Sequence, residues 1–208
     1  MNNIDINNII YNPLDIDSIG ESIVRTIIEK PCNNLSDLKP FMGIGTYIIY
    51  YIGEFEVYKN IRAKNINNKF DQPIYVGKAV SAGSRKGGKV SKPKYELYNR
   101  LKEHADSIKI VENLDINDFY YRYLLVDNIW ISLGESMLIT KYKPLWNVVI
   151  DGFGNHAPGK GRSGSIKSLW DTLHPGRKWS INLKNHNKTI EQIKEDIEKY
   201  RKENDNAV

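Results

Sequence analysis

Apolar residues recur at helical spacing at Ile19, Ile23, Ile27 and Ile28, which predicts a helix from Ser18 to Glu29 with Asp17 or Ser18 as its cap. The pattern then changes. Thr46 to Ile52 is β-branched and aromatic enough for a strand, and Gln72 to Val76 predicts a second, with the polar, Asn-rich stretch from Lys59 to Asp71 as the connection between them. Leu97, Leu101, Ala105 and Ile108 restore the helical period and predict a helix over Tyr95 to Ile108. Phe119 to Val126 reads as a third strand. Ile129 to Tyr142 reads as a second main helix that stops before Pro144, with Trp146 to Ile150 returning to the sheet. A charged helix over Thr189 to Glu203 carries a weak stripe at Ile190, Ile193, Ile197 and Tyr200. Two stretches fit no period. Ser81 to Lys89 is glycine-rich and basic, and Gly152 to Trp179 is longer than a simple connection requires, so it is a candidate functional loop.

Composition bounds what these elements build. With 208 residues, 40% of them hydrophobic and 26% charged, the chain suits one globular domain rather than two or a disordered segment. The expected division is an N-terminal helical extension over 1–40, a core over 41–150, and a loop region with a C-terminal helix over 151–208. Cys32 is the only cysteine, which excludes an internal disulfide and a thiolate metal cage and fits a reducing compartment. No apolar stretch approaches the roughly 20 residues that span a bilayer, and the N-terminus lacks a basic patch before an apolar run, so a cytoplasmic protein is expected. The net charge of +5 is concentrated in two islands. Residues 78–104 hold eight Lys or Arg against two Asp or Glu, and residues 154–178 hold five against one. Clustered cations of this kind suit a phosphate backbone, or equally a solvated lysine-rich surface.

The candidate chemistry is sparse. Glu135 follows Ile131 and precedes Leu138 and Ile139 on a predicted helix, so its carboxylate faces an apolar flank and needs a partner. A hard ion such as Mg²⁺, retaining most of its waters, suits a single carboxylate, while pairing with Lys141 or Lys143 is the plainer reading. Arg100 and His104 lie one turn apart and project from one helix face. An arginine fork holds phosphate and a histidine takes a proton near neutral pH, although a surface line Glu96, Arg100, His104 is the commoner meaning of that spacing. A tyrosine, with a reference pKa of about 10, acts as a base only where a neighbour accepts its proton. Gly83 to Lys89 and Gly154 to Lys160 mimic a phosphate loop, but Val90 and Gly161 stand where a Mg²⁺-ligating hydroxyl is required, which excludes a nucleotide triphosphatase. Four histidines without zinc-site spacing argue against a zinc enzyme, and Asp37-Leu38-Lys39 lacks a partner carboxylate.

Taken in order, Gly45-Thr46-Tyr47, Tyr75-Val76-Gly77-Lys78-Ala79, Arg100, Glu135 and Asn147 resemble the GIY-YIG nuclease family, with His104 as a feature of some members. Thr46 stands where Ile is usual, and Tyr51-Ile52-Gly53 spells the second motif too early. Tyr47 and Tyr51 would share one strand, roughly 13 Å apart, so Tyr51 is assigned to packing and an insertion over Glu54 to Gln72 accounts for the long spacing to Tyr75. Gly152 to Arg162 and Trp170 to Arg177 extend the likeness to the small type II restriction endonucleases that cut the palindrome CCGCGG.

The resemblance implies an α+β fold, a small antiparallel or mixed β-sheet flanked by helices, and Mg²⁺-dependent hydrolysis of DNA, with Mn²⁺ as a substitute. In that scheme Glu135 holds the metal and Tyr47, relieved of its proton by His104, activates water. Arg100 neutralises the phosphorane, Tyr75 positions phosphate or water, Asn147 holds Tyr47 or the metal water, and Lys78 assists near the phosphate. Arg85, Lys86, Lys89, Lys160, Arg162 and Arg177 are the expected DNA contacts, with forked guanine contacts from Arg85, Arg162 and Arg177. A palindrome implies a homodimer on double-stranded DNA and a cognate methyltransferase acting on the same site. The rivals are a repair or homing nuclease on the same module, and a basic DNA-binding protein without catalysis.

Overall fold

The computed structural model describes residues 16–81, 94–157 and 164–205. Four strands form one antiparallel sheet in the order β1-β4-β2-β3: β1 Asn33–Asn34, β2 Gly45–Tyr51, β3 Tyr75–Ala79 and β4 Phe119–Leu125. Every residue of β2 is buried, because it is paired on both sides and covered on both faces. Its alternate side chains divide the core. Tyr47, Ile49 and Tyr51 enter a large cluster with Leu97, Leu101 and Trp146, whereas Ile48 and Tyr50 face Val24, Ile27 and Leu138.

Helices α1 Ile16–Ile28 and α4 Asn128–Tyr142 cover the second face, and α3 Glu96–Lys109 packs on the first. The four apolar positions that predicted α3 are all buried, and His104 joins them. The segment after α4 was expected to return to the sheet as a strand. Instead Pro144 caps a short helix, α5 Leu145–Val148. The sheet edge is closed all the same, since Trp146 N donates to Ile74 O at 2.9 Å.

The insertion between β2 and β3 is ordered, with a 3₁₀ turn at Glu56–Tyr58 and helix α2 Lys59–Asn65. Asn65 fastens it. Its buried amide donates to Tyr51 O and Gln72 O and accepts from Gln72 N, so the Asn-rich stretch closes on the end of β2. Tyr51 is a packing residue as expected, 1% exposed and set against Phe119.

The C-terminal region belongs to the same core. Phe153, Trp170, Leu173, Ile193 and Ile197 all join the larger cluster, from a turn after α5, from α6 Leu169–Leu173 and from α7 Ile190–Asp205. Among the described residues no helix is long and apolar enough to cross a membrane.

Candidate active site

The site is built around the pairing of β2 with β3. Tyr47 lies opposite Gly77, and a Cβ on Gly77 would sit 2.3 Å from the Tyr47 hydroxyl. Glycine is therefore needed in the second strand so that the phenol of the first can lie across it. From α3, His104 meets that phenol at 2.6 Å between Tyr47 Oη and His104 Nε2. Both groups are fully buried. Burial pushes the phenol well above its ordinary value and His104 well below, with the nearby Arg100 and Arg177 charges adding to the latter. The resting pair is thus neutral, a phenol hydrogen-bonded to an uncharged imidazole.

Tyr75, on the same face of β3, is the outer phenol. Burial again raises it, while its contacts with Arg100 and Tyr47 act in the opposite direction. Arg100 is 23% exposed in its side chain and aligned by three acceptors: Nη1 donates to Glu103 Oε2 at 2.9 Å and to His156 Nε2 at 3.0 Å, and Nη2 donates to Gly154 O at 2.9 Å. Phe153 completes the wall, stacked on His104 with ring centroids 4.4 Å apart and 18° between planes, and edge-on to Tyr75. A patch of phenols with a guanidinium at its mouth can hold a phosphate and conduct a proton inward.

Glu135 comes from the opposite side of the sheet. Helix α4 packs on β3, and Lys78, which alternates away from Tyr75 and Gly77, bonds Glu135 Oε2 at 2.7 Å and Ser132 Oγ at 3.2 Å. The carboxylate is near enough to raise the proton affinity of both Tyr47 and Tyr75. Its side chain is 22% exposed, so it can be reached from solvent. Its ion-pair partner is Lys78 from the edge strand, not Lys141 in its own helix or Lys143 just past the helix end.

Among the described residues no three His, Cys, Asp or Glu side chains converge on a common point. A single accessible carboxylate still fits Mg²⁺, an ion that commonly takes one or two carboxylates and completes its shell with water and phosphate.

Residues 39–201 match the family described as the Eco29kI GIY-YIG domain. The chain belongs to that family. No individual curated protein matches it significantly. Family membership makes it a GIY-YIG restriction endonuclease, a nuclease whose substrate is DNA, and the α+β architecture with its open antiparallel sheet is that of the GIY-YIG core.

Two expectations for this nuclease need correction. Asn147 is not bonded to Tyr47: its amide accepts from Val76 N at 2.8 Å and donates to Val76 O at 2.9 Å, taking the place of a neighbouring strand along the β3 edge. It fixes the backbone between Tyr75 and Gly77. Arg177 cannot read a base, because it is 1% exposed and bonded to backbone carbonyls inside the core. Arg85, Lys86, Lys89, Lys160 and Arg162 lie outside the described residues.

The sequence reading missed Phe153, Gly154 and His156 as members of the site. They stand in Gly152-Phe153-Gly154-Asn155-His156, where the second basic island begins, and the aromatic flanked by glycines was the available signal.

Proposed function

We propose that the protein is a type II restriction endonuclease that hydrolyses both strands of a short palindrome, CCGCGG, in a Mg²⁺-dependent reaction. The observation that carries this reading is the buried 2.6 Å contact between Tyr47 and His104 beside the Arg100 guanidinium. Arg100 receives the scissile phosphate and offsets the charge of the pentacoordinate phosphorane. Water attacks phosphorus in line with the leaving ester oxygen, and its proton enters the Tyr75–Tyr47 phenol pair. Tyr47 passes its own proton to His104 Nε2 in the tautomer that leaves this nitrogen unprotonated, a transfer that burial of both groups opposes and that is therefore coupled to arrival of the water proton. The P–O ester bond breaks and the leaving oxygen is protonated from solvent. Glu135, with Lys78 beside it, would hold the metal, which when bound would supply Lewis acidity to the attacking water and to the phosphate.

Specificity for CCGCGG rests on the likeness of Gly152 to Arg162 and Trp170 to Arg177, with Arg85 and Arg162 as the remaining candidates for guanine contacts. Two strands related by a dyad call for two sites, hence a homodimer on DNA, and a host needs a methyltransferase for the same sequence. The test is digestion of a plasmid that carries one CCGCGG, with the product ends sequenced. Cuts confined to that site are the expected result. Discrete cuts elsewhere would reject the target, and random nicking would reject the restriction reading.

A further inference from the structure

Arg177 is the only Arg or Lys that is buried among the described residues. Its guanidinium lies 4.1 Å from the ring centroid of Trp170, Nη1 donates to Gly152 O at 3.0 Å, and Nη2 donates to Phe153 O at 2.5 Å. The Asp171 carboxylate is looser, at 3.5 Å, and burial raises its proton affinity against the lowering by Ser168 and Arg177. The carbonyl contacts, not the ion pair, are thus the close ones. A buried guanidinium is costly unless its donors are used, and here Nη1 and Nη2 hold two consecutive carbonyls while Nε has no hydrogen-bond partner among the described residues.

Those carbonyls belong to the turn that walls the active site. Gly152 has φ +98 and no room for a Cβ, which would come within 2.1 Å of Ser168, so the backbone there is tightly fitted. Phe153 stacks on His104, and the next carbonyl, Gly154 O, receives Arg100 Nη2. The turn is therefore gripped by Arg177 from inside and joined to Arg100 outside.

We infer that Arg177 is a positioning residue for cleavage: by clamping Gly152 and Phe153 it sets the His104 ring through Phe153 and the Arg100 fork through Gly154. This rests on the nuclease reading above. It also accounts for the Trp170 to Arg177 stretch as a brace of the active site rather than a DNA-reading loop. The charged and titratable groups facing His104 are Arg100 on α3, Tyr47 on β2, Tyr75 on β3, and Arg177 and His156 from the C-terminal region, so the Arg177 charge also helps keep the imidazole neutral.

The test compares Arg177→Met and Arg177→Lys with wild type in single-turnover cleavage of a CCGCGG duplex, and records the His104 ring resonances by NMR across pH. Arg177→Met is expected to slow cleavage by about tenfold to a hundredfold, the cost of a small misplacement. Affinity for the duplex should stay within about threefold, since a buried side chain makes no phosphate contact. The His104 resonances should lose the ring-current shift of Phe153 and titrate at higher pH than in wild type, and Arg177→Lys should recover part of both effects. A folded Met variant with wild-type cleavage and wild-type His104 spectra overturns the proposal. If Met at 177 prevents folding, a folded Lys variant indistinguishable from wild type in both readouts does the same. The His104 spectra report on the clamp even if the wild type fails to cut DNA, so failure of the nuclease reading is separately visible.

Discussion

Glu135→Ala is expected to lower cleavage by about a thousandfold or more while leaving DNA binding intact, because Glu135 is the carboxylate proposed to hold the divalent ion, the nearby Glu103 being paired with Arg100. Among the described residues Glu135 is part of no hydrophobic cluster and its ion-pair partner is Lys78, so the variant should fold. Removing a negative charge next to the phosphate path should, if anything, tighten binding. Binding by fluorescence anisotropy, set beside single-turnover cleavage, separates the readings. A nuclease gives a variant that binds and does not cut. A basic DNA-binding protein without catalysis gives no cleavage in the parent either, and retained cleavage in the variant would remove Glu135 from the reaction.

Tyr47→Phe should reduce the single-turnover rate by roughly 10²–10⁴-fold, the range for loss of a positioned acid–base group. The hydroxyl also satisfies a buried imidazole nitrogen, so its removal should cost about 1–3 kcal/mol of stability. The protein contains its own control. Tyr58 and His174 form a second buried pair, 2.5 Å between hydroxyl and Nε2, with Trp146 Nε1 donating to the same hydroxyl and His174 Nδ1 donating to Asn113. Burial pushes His174 down to about 3 and Tyr58 up, as in the active-site pair. Tyr58→Phe should therefore bring a comparable loss in thermal denaturation with a rate within a few-fold of wild type. Equal effects of the two substitutions on rate would mean that Tyr47 acts through stability alone. The sign of the His104 shift adds a pH signature: its folded value lies below the ordinary one of 6.5, so the base remains unprotonated, and cleavage persists, below the pH at which an exposed histidine would charge.

Local periodicity located α3 and α4 nearly to the residue, since Leu97, Leu101, Ala105 and Ile108 have one face to bury. It misplaced β3 by three residues at each end. Gly77 and Lys78 look like the start of a loop, yet the ladder with β2 runs to Ala79, and the glycine is there for the Tyr47 ring that crosses it. Trp146 to Ile150 has strand-like residues but follows Pro144 into a turn of helix, and the Asn147 amide supplies the edge bonds that a strand would have made. Asn65 was equally opaque, because three backbone partners at Tyr51 and Gln72 turn an apparently polar linker into packed structure.

Within the site, Tyr47, Tyr75, Arg100 and His104 converge, and Glu135 approaches around the edge strand. Arg177 shows the limit of residue type as a guide. An arginine in a Gly- and Pro-rich basic stretch reads as a nucleic-acid contact, and only the carbonyls 24 and 25 residues earlier, with Trp170 beneath the guanidinium, reveal an interior role. His156 went unmarked for a similar reason, since its bond to Arg100 spans 56 residues.

The most direct measurement is single-turnover cleavage of a duplex carrying one CCGCGG by the wild-type protein, in EDTA and then after Mg²⁺ is restored. The account predicts no product in EDTA and discrete double-strand cleavage once Mg²⁺ is added. Cleavage that persists in EDTA, or a bound duplex left whole in Mg²⁺, would contradict it.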